Sequence, residues 1–237
     1  MKLATVTDDP RVETVLLCGS HSRGEWDGAS DIDYAVFARP ASFDELVDIK
    51  RTILTCLDEV RESVSLYSCV AAEAMAARGS LFLWHLRLEG TIQFRRSEWI
   101  DRLLRQLPNY SLESARVQLQ TMRLALDDID ASLSCGSTTL LFEASLLYAV
   151  LRTIGIAVTA MNGQPVFGRL QPILAADQIL GGTTDLSERM VEKLLSARHT
   201  YSRGLDAETL LTSEQVQEAS AGARQLLDRA IRRARDD

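Results

Sequence analysis

Two aspartates set two positions apart, in Ser30-Asp31-Ile32-Asp33-Tyr34-Ala35-Val36, are the strongest chemical feature of this sequence. In an extended chain, side chains two residues apart point to one face, so the two carboxylates converge. Like charges held together are costly unless a cation sits between them. Mg²⁺ (or Mn²⁺) suits such a pair, because it accepts one or two carboxylates and completes its shell with water and substrate phosphates. Upstream, Leu16-Leu17-Cys18-Gly19-Ser20-His21-Ser22-Arg23-Gly24 runs an apolar strand into a Gly-Ser turn. A glycine at position 19 lets the backbone approach a ligand closely. The amides and hydroxyl that follow can cradle a phosphate where a helix begins. Each pattern alone is commonplace: an isolated pair of aspartates reads as an exposed strand edge, and Gly-Ser as an ordinary turn. In this order and spacing they read as the phosphate half and the metal half of one site.

These residues need a scaffold, and the hydropathy pattern supplies one. Val12–Cys18, with three consecutive apolar residues, predicts a buried strand that stops at Gly19. Ile32–Ala38 predicts a second strand, ended by Arg39-Pro40. Ser42-Phe43-Asp44-Glu45 is a capping-box sequence opening a helix expected to run to about Val60. Val64–Cys69 alternates like a third strand, and helices over Ala71–Arg78 and Leu81–Leu88 precede a short last strand, Thr91–Phe94. Beyond Arg95-Arg96 strand signals nearly vanish. Ser97 caps a helix expected to reach Leu107, and longer helical patterns follow over Ser111–Ser134, Leu140–Met161, Asp185–His199 and Thr212 to the C-terminus. Cys135-Gly136-Ser137, Asn162-Gly163-Gln164-Pro165 and Gly181-Gly182 read as breaks between them. The expected fold is therefore α+β. A mixed sheet with flanking helices over residues 1–96 precedes a helical bundle over 97–237, with the boundary near Arg95 to Ser97.

The run Gly19-Ser20, Arg23-Gly24, Ser30-Asp31-Ile32-Asp33 resembles the signature of the polymerase-beta-type nucleotidyltransferase superfamily, which includes small bacterial members and the antibiotic nucleotidyltransferases. The likeness is specific over Val15–Val36 and holds in outline to about Phe94. It implies that Gly19 and Ser20 contact the triphosphate of an NTP, with ATP the expected donor, and that Arg23 and Ser30 assist. It implies equally that Asp31 and Asp33 are the catalytic carboxylates and ligate the divalent ions. The implied reaction moves a nucleoside monophosphate onto a hydroxyl acceptor (a small molecule, a protein side chain or an RNA end) and releases pyrophosphate. The family usually adds a third carboxylate from a later strand. Here the matching position on the third strand reads as Ser65. Glu62 is an odd number of residues away and faces the other side of a regular strand, while Glu73 follows the strand. That serine keeps a second reading open: a catalytically degenerate member acting as an antitoxin-like or regulatory binding module.

Other residues carry weaker signals. His21 lies in the turn itself, as a phosphate contact or an exposed loop histidine, and Trp26 in the following loop could stack on a base or cover the edge of the core. His85 reads as a packed helix histidine. Glu143, within the most apolar helix, is a candidate base by the same resemblance, although an ion pair with Arg152 is the favoured reading. The arginines from Arg224 to Arg235 read as solvated helix-end charge.

Composition bounds the rest. The chain has 237 residues, 46% hydrophobic and 25% charged, which is ordinary for a globular protein. A net charge of −7 argues against a general nucleic-acid coat but leaves a local basic groove, and so nucleic acid as a partner, open. Four cysteines without a CxxC pair read as free thiols of a cytoplasmic protein. Leu140–Met161 is interrupted by Glu143, Arg152 and Gly155 and fits a bundle core better than a membrane span. The partners implied are an NTP, a hydroxyl-bearing acceptor and, through the helical half, a protein; homodimerisation is left open.

Overall fold

The computed structural model describes residues 1–26, 30–40, 42–57, 61–136, 139–182, 186–204 and 211–236. The chain divides into two compact units, Met1–Asn109 and Tyr110–Asp237. The first is built on a four-stranded sheet of β1 (Val12–Cys18), β2 (Ile32–Ala38), β3 (Glu62–Ser68) and β4 (Thr91–Arg95), ordered β3-β2-β1-β4. β1 pairs antiparallel with both β2 and β4, and β2 pairs parallel with β3. The C-terminal end of β1 and the N-terminal ends of β2, β3 and β4 therefore meet at one end of the sheet. That end carries Gly19, Asp33, Ser63 and Glu89.

Both faces of the sheet are covered. Alternate residues Leu16, Cys18, Ala35 and Phe37 pack with buried residues of α4 (Cys69–Ala77), α5 (Leu81–Glu89) and α6 (Trp99–Arg105). The opposite set, Val15, Val36 and Ala38, packs with Val6 of α1 (Leu3–Asp8) and with Ile49 and Ile53 of α3 (Phe43–Thr55). Burying a side chain of this size contributes about 1.5–3 kcal/mol, and that burial fixes which way every second residue of β2 faces. A four-residue helix, α2 (Ser20–Arg23), follows β1 directly.

β1 and β2 have the bounds expected from sequence. Ser42 Oγ accepts from Glu45 N at 3.2 Å, as a capping residue should, but α3 stops at Thr55, short of the expected end; Val60 lies outside the described residues. β3 begins at Glu62, two residues early, and Ser68 Oγ caps α4 at 3.1 Å, so Cys69 starts a helix instead of ending a strand. The helix expected to open the second half belongs to the first. α6 buries Trp99 and Ile100, and the following Leu107 joins the same core, which moves the division from Arg95–Ser97 to Asn109/Tyr110.

The second unit comprises α7 (Leu112–Ser134), α8 (Leu140–Met161), α9 (Gln171–Ile179), α10 (Glu188–Arg203) and α11 (Ser213–Asp236). α8 is long and apolar enough to cross a membrane, yet most of it is buried in the unit's own core against α7, α9, α10 and α11. α9 was not signalled by the sequence; of the expected breaks and helix starts, Ser137 and Asp185 lie outside the described residues. The expected ion pair of Glu143 with Arg152 does not form. Nine residues along a helix is about 13.5 Å of rise and half a turn, so the two face opposite sides of α8. Glu143, 2% exposed, instead accepts from Ser132 and from Thr139 at 3.0 Å, while Arg152 donates to the carbonyls of Gly168 and Phe167. The C-terminal arginines are also less free than expected. Arg224 pairs with Asp127 and Asp130 of α7, and Arg229 and Arg233 donate to Leu180 O and Asn162 Oδ1.

Gly155 marks a close approach of two backbones in this unit. A Cβ there would stand 2.5 Å from the carbonyl of Pro172 and 2.8 Å from Ile173 N, all backbone atoms. Gly155→Ala is expected to destabilise the protein by about 1–3 kcal/mol through overpacking, overriding a helix-propensity gain of about 1 kcal/mol. Urea unfolding followed by circular dichroism checks this, and a raised midpoint would contradict it.

Candidate nucleotide and metal site

The turn after β1 is shaped by one residue. Gly19 has φ 75° and ψ −152°, a conformation side chains disfavour. A Cβ at Gly19 would also stand 2.7 Å from Asp33 Oδ2. The glycine is therefore required twice, once for the backbone angle and once so that the turn can rest on the Asp33 carboxylate. α2 is then closed internally: Ser22 Oγ donates to Gly19 O at 2.9 Å, and Glu25 N donates to Ser20 O at 3.0 Å. Gly24, left-handed, ends it.

Asp33 is positioned from three sides. Its backbone pairs with Cys18 across β1 and with Ser63 across β3. Ser63 Oγ donates to Asp33 Oδ1 at 2.5 Å, Gly19 lies against Oδ2, and Cys18 Sγ contacts the Asp33 carbonyl at 3.3 Å. Asp31 immediately precedes β2, whose first residue Ile32 donates its N–H to Arg61 O at 2.9 Å. The two-residue spacing carries Asp31 and Asp33 to the same side of the extended chain. Both are half-buried, and Ser30 before them is 4% exposed and engaged within the protein.

The residue level with Asp33 on β3 is thus Ser63, and Ser65 lies level with Ala35. The two-residue error follows directly from expecting β3 to begin at Val64. Neither position offers a carboxylate. Glu62 does face the other side, where it meets the amino group of Met1, and Glu73 accepts from Trp99 Nε1 at 2.8 Å. Among the described residues no group of three or more His, Cys, Asp or Glu is placed to hold a metal. Asp31 and Asp33 are the candidate ligands for a cation of the Mg²⁺ type, which needs only one or two carboxylates when phosphates and water fill its shell.

Arg23 is not a free phosphate ligand. Its Nη1 donates to Glu89 Oε2 at 2.6 Å and its Nε to Glu25 Oε2 at 2.8 Å. His85 Nε2 lies 2.9 Å from the same Glu89 oxygen. Burial alone would raise the Glu89 pKa, but the nearby His85 and the hydrogen bond from Arg23 outweigh it and hold the carboxyl below its usual range. The stability this contributes is present above the ordinary glutamate pKa and is lost as pH falls through the lowered one. Nothing in the sequence signalled Glu89, because only the antiparallel pairing of β4 with β1 brings it beneath the turn. His21 stacks on Trp26, with ring centroids 5.7 Å apart and planes 8° from parallel, and Trp26 remains 61% exposed. Asp27 and Gly28, which follow it, lie outside the described residues.

In sequence, the chain matches no family profile and no curated protein. In structure it is similar to a spectinomycin adenyltransferase from Enterococcus faecialis, solved with ATP and spectinomycin, over 97% of this chain and 98% of that one, at TM-score 0.51 and 11% identity. The two chains share one fold from end to end. A nucleotidyltransferase-like protein from Exiguobacterium sibiricum covers 95% of this chain and 71% of its own, at TM-score 0.38 and 14% identity. A toxin-antitoxin structure with AMP-PNP covers 54% of this chain and 94% of its own, at TM-score 0.33 and 21% identity.

Burial pushes the Cys18 thiol up to about 12, with the Asp33 and Glu89 carboxylates adding to the effect, and burial pushes Cys69 up to about 11. Only the thiolate is nucleophilic. Native protein treated with iodoacetamide at pH 8 is therefore expected to be alkylated at the exposed Cys135 and spared at the buried Cys18, Cys56 and Cys69. Peptide mass mapping checks this, and rapid modification of Cys18 would contradict the burial described for the site.

Proposed function

We propose that this protein is a metal-dependent nucleotidyltransferase that moves a nucleoside monophosphate, from ATP as the favoured donor, onto a hydroxyl acceptor. The observation that carries the proposal is the contact between the Gly19 turn and the Asp33 carboxylate. The turn and the acid lie so close that no side chain fits between them, which suits a nucleoside triphosphate bridged by a divalent ion. The adenyltransferase with the same fold binds ATP and spectinomycin, which supports an NTP donor and a small hydroxyl-bearing acceptor.

In this reading Gly19 and Ser20 cradle the triphosphate through backbone amides and the Ser20 hydroxyl. Asp31 and Asp33 hold the cation, with Mg²⁺ or Mn²⁺ as candidates. Bound there, the cation neutralises charge on the α-phosphate and on the departing pyrophosphate. The acceptor hydroxyl gives up its proton to water and its oxygen bonds to the α-phosphorus, as the bond from that phosphorus to the bridging oxygen breaks and pyrophosphate leaves. Ser63 keeps the Asp33 carboxylate in one orientation through its hydrogen bond to Oδ1. Trp26, exposed beside the turn, offers a face on which a base could stack. The helical unit is assigned to acceptor or partner binding, and the free thiols suit a reducing cytoplasm.

Ser63 also supports a second reading. With a hydroxyl where the family usually places a third acid, the domain could bind nucleotide without transferring it and act as an antitoxin-like or regulatory module.

Labelled NTPs, Mg²⁺ and a panel of acceptors (aminoglycosides, cell lysate, RNA) separate the two. Wild type is expected to transfer label, and Asp31→Ala and Asp33→Ala to lose it by at least about a hundredfold. Metal-dependent NTP binding without transfer would favour the regulatory reading, and neither activity would refute the first. Ser63→Asp adds a third carboxylate and is expected to lower the Mg²⁺ concentration for half-maximal binding or transfer by about tenfold. An unchanged or raised Mg²⁺ requirement would show that Ser63 does not stand at the metal.

A further inference from the structure

We infer that Glu89 is a positioning residue for the nucleotide site: it clamps α2 to the sheet through Arg23 and so fixes the Gly19-Ser20 turn. The inference rests on the nucleotidyl-transfer reading for its catalytic consequence. Its structural content stands separately.

α2 is four residues long, too short to hold its own conformation in water. What ties it down besides its own turn bonds is Arg23, whose guanidinium reaches Glu89 at 2.6 Å and Glu25 at 2.8 Å. The two partners are not equivalent. Glu89 is on α5, 66 residues away in sequence, and its side chain is 15% exposed, as is that of Arg23. Glu25 is two residues along the same loop and 49% exposed, so it moves with the turn and cannot anchor it. A half-exposed local pair contributes little. A shielded pair joining two elements is costly to break, because removing one partner leaves the other charge buried and unmatched.

Glu89 is itself fixed. His85, one turn earlier on α5, lies 2.9 Å from the oxygen that Arg23 uses, and Gly90 ends α5 just before β4 begins at Thr91. β4 in turn pairs with β1, with Thr91 opposite Leu17, two residues before Gly19. The turn is thus held at its start by the sheet and at its end by Arg23–Glu89–His85. The charged and titratable groups around the clamp are Arg23, Glu25, His85 and, toward the sheet, Cys18 and Asp33. This geometry also reassigns Arg23. With two carboxylates on its guanidinium, it acts on the phosphates through the position of the turn and not by direct contact.

Two variants and their combination test the clamp: Glu89→Gln, Arg23→Gln and the double variant, with Glu25→Gln as the local control. In hydrogen exchange without nucleotide, Glu89→Gln is expected to speed exchange of amides 20–24 by about fivefold or more while leaving β2 unchanged. In steady-state assays, KM for the NTP is expected to rise about tenfold with kcat within about twofold, because Asp31 and Asp33 are untouched. The double variant is expected to be no worse than the worse single variant, since each breaks the same contact. Glu25→Gln is expected to stay within about twofold of wild type throughout. Unchanged protection of residues 20–24 in Glu89→Gln overturns the clamp whatever the activity. Additive effects in the double variant, or a fall in kcat alone, overturn it as well. A wild type that binds no NTP refutes the functional reading instead, and the exchange measurement still decides the clamp.

Discussion

The candidate site depends on one close approach: the turn at Gly19 packs so near the Asp33 carboxylate that no side chain fits between them. It is possible only because position 19 has no side chain, since a Cβ would sit 2.7 Å from Oδ2. It is produced by the antiparallel pairing of β1 with β2, which sets Cys18 opposite Asp33 and makes the residue after one strand the neighbour of the second residue of the other. Two packed faces hold that pairing in register. A slip of one residue would turn Ala35 and Phe37 out of one core and Val36 out of the other. The hydrophobic alternation of β2 thus does more than bury surface. It decides that Asp33 faces the turn.

Around this contact the site is asymmetric in charge. It offers two half-buried carboxylates and a serine hydroxyl where its closest geometric neighbour could have been a third acid. Ser63 satisfies Asp33 Oδ1 without adding charge, so Asp31 and Asp33 repel one another less than a triad of acids would. Glu89, another acid at this end of the sheet, is already paired with Arg23. Its charge serves to hold the scaffold.

Much of the candidate site's framework was legible in the sequence because it is local. Gly19-Ser20 follows an unbroken apolar strand, and Asp31 and Asp33 open another, so the strand bounds, the turn and the spacing are all written within about twenty residues. The sheet-plus-bundle architecture was also readable, from the switch between periods of two and 3.6. What escaped depends on pairing. Ser63 was displaced to Ser65 because β3 begins with Glu62, a residue of low strand propensity that parallel pairing with β2 recruits. Glu89 looked like an ordinary helix-end acid until β4 folded back along β1. α6 was assigned to the wrong half because Trp99 and Ile100 complete the first core after the strand signals have ended. The supposed partners Glu143 and Arg152 failed for a simpler reason, since helical geometry sets them on opposite faces.

The central claim is that the Gly19 turn and the Asp31/Asp33 pair bind a nucleoside triphosphate together with a divalent cation. Calorimetric titration of wild-type protein with a non-hydrolysable ATP analogue, with Mg²⁺ and again with the metal chelated, tests it most directly. Saturable binding that requires Mg²⁺ is the predicted result. No binding under either condition, or binding of equal strength without the metal, would contradict the claim.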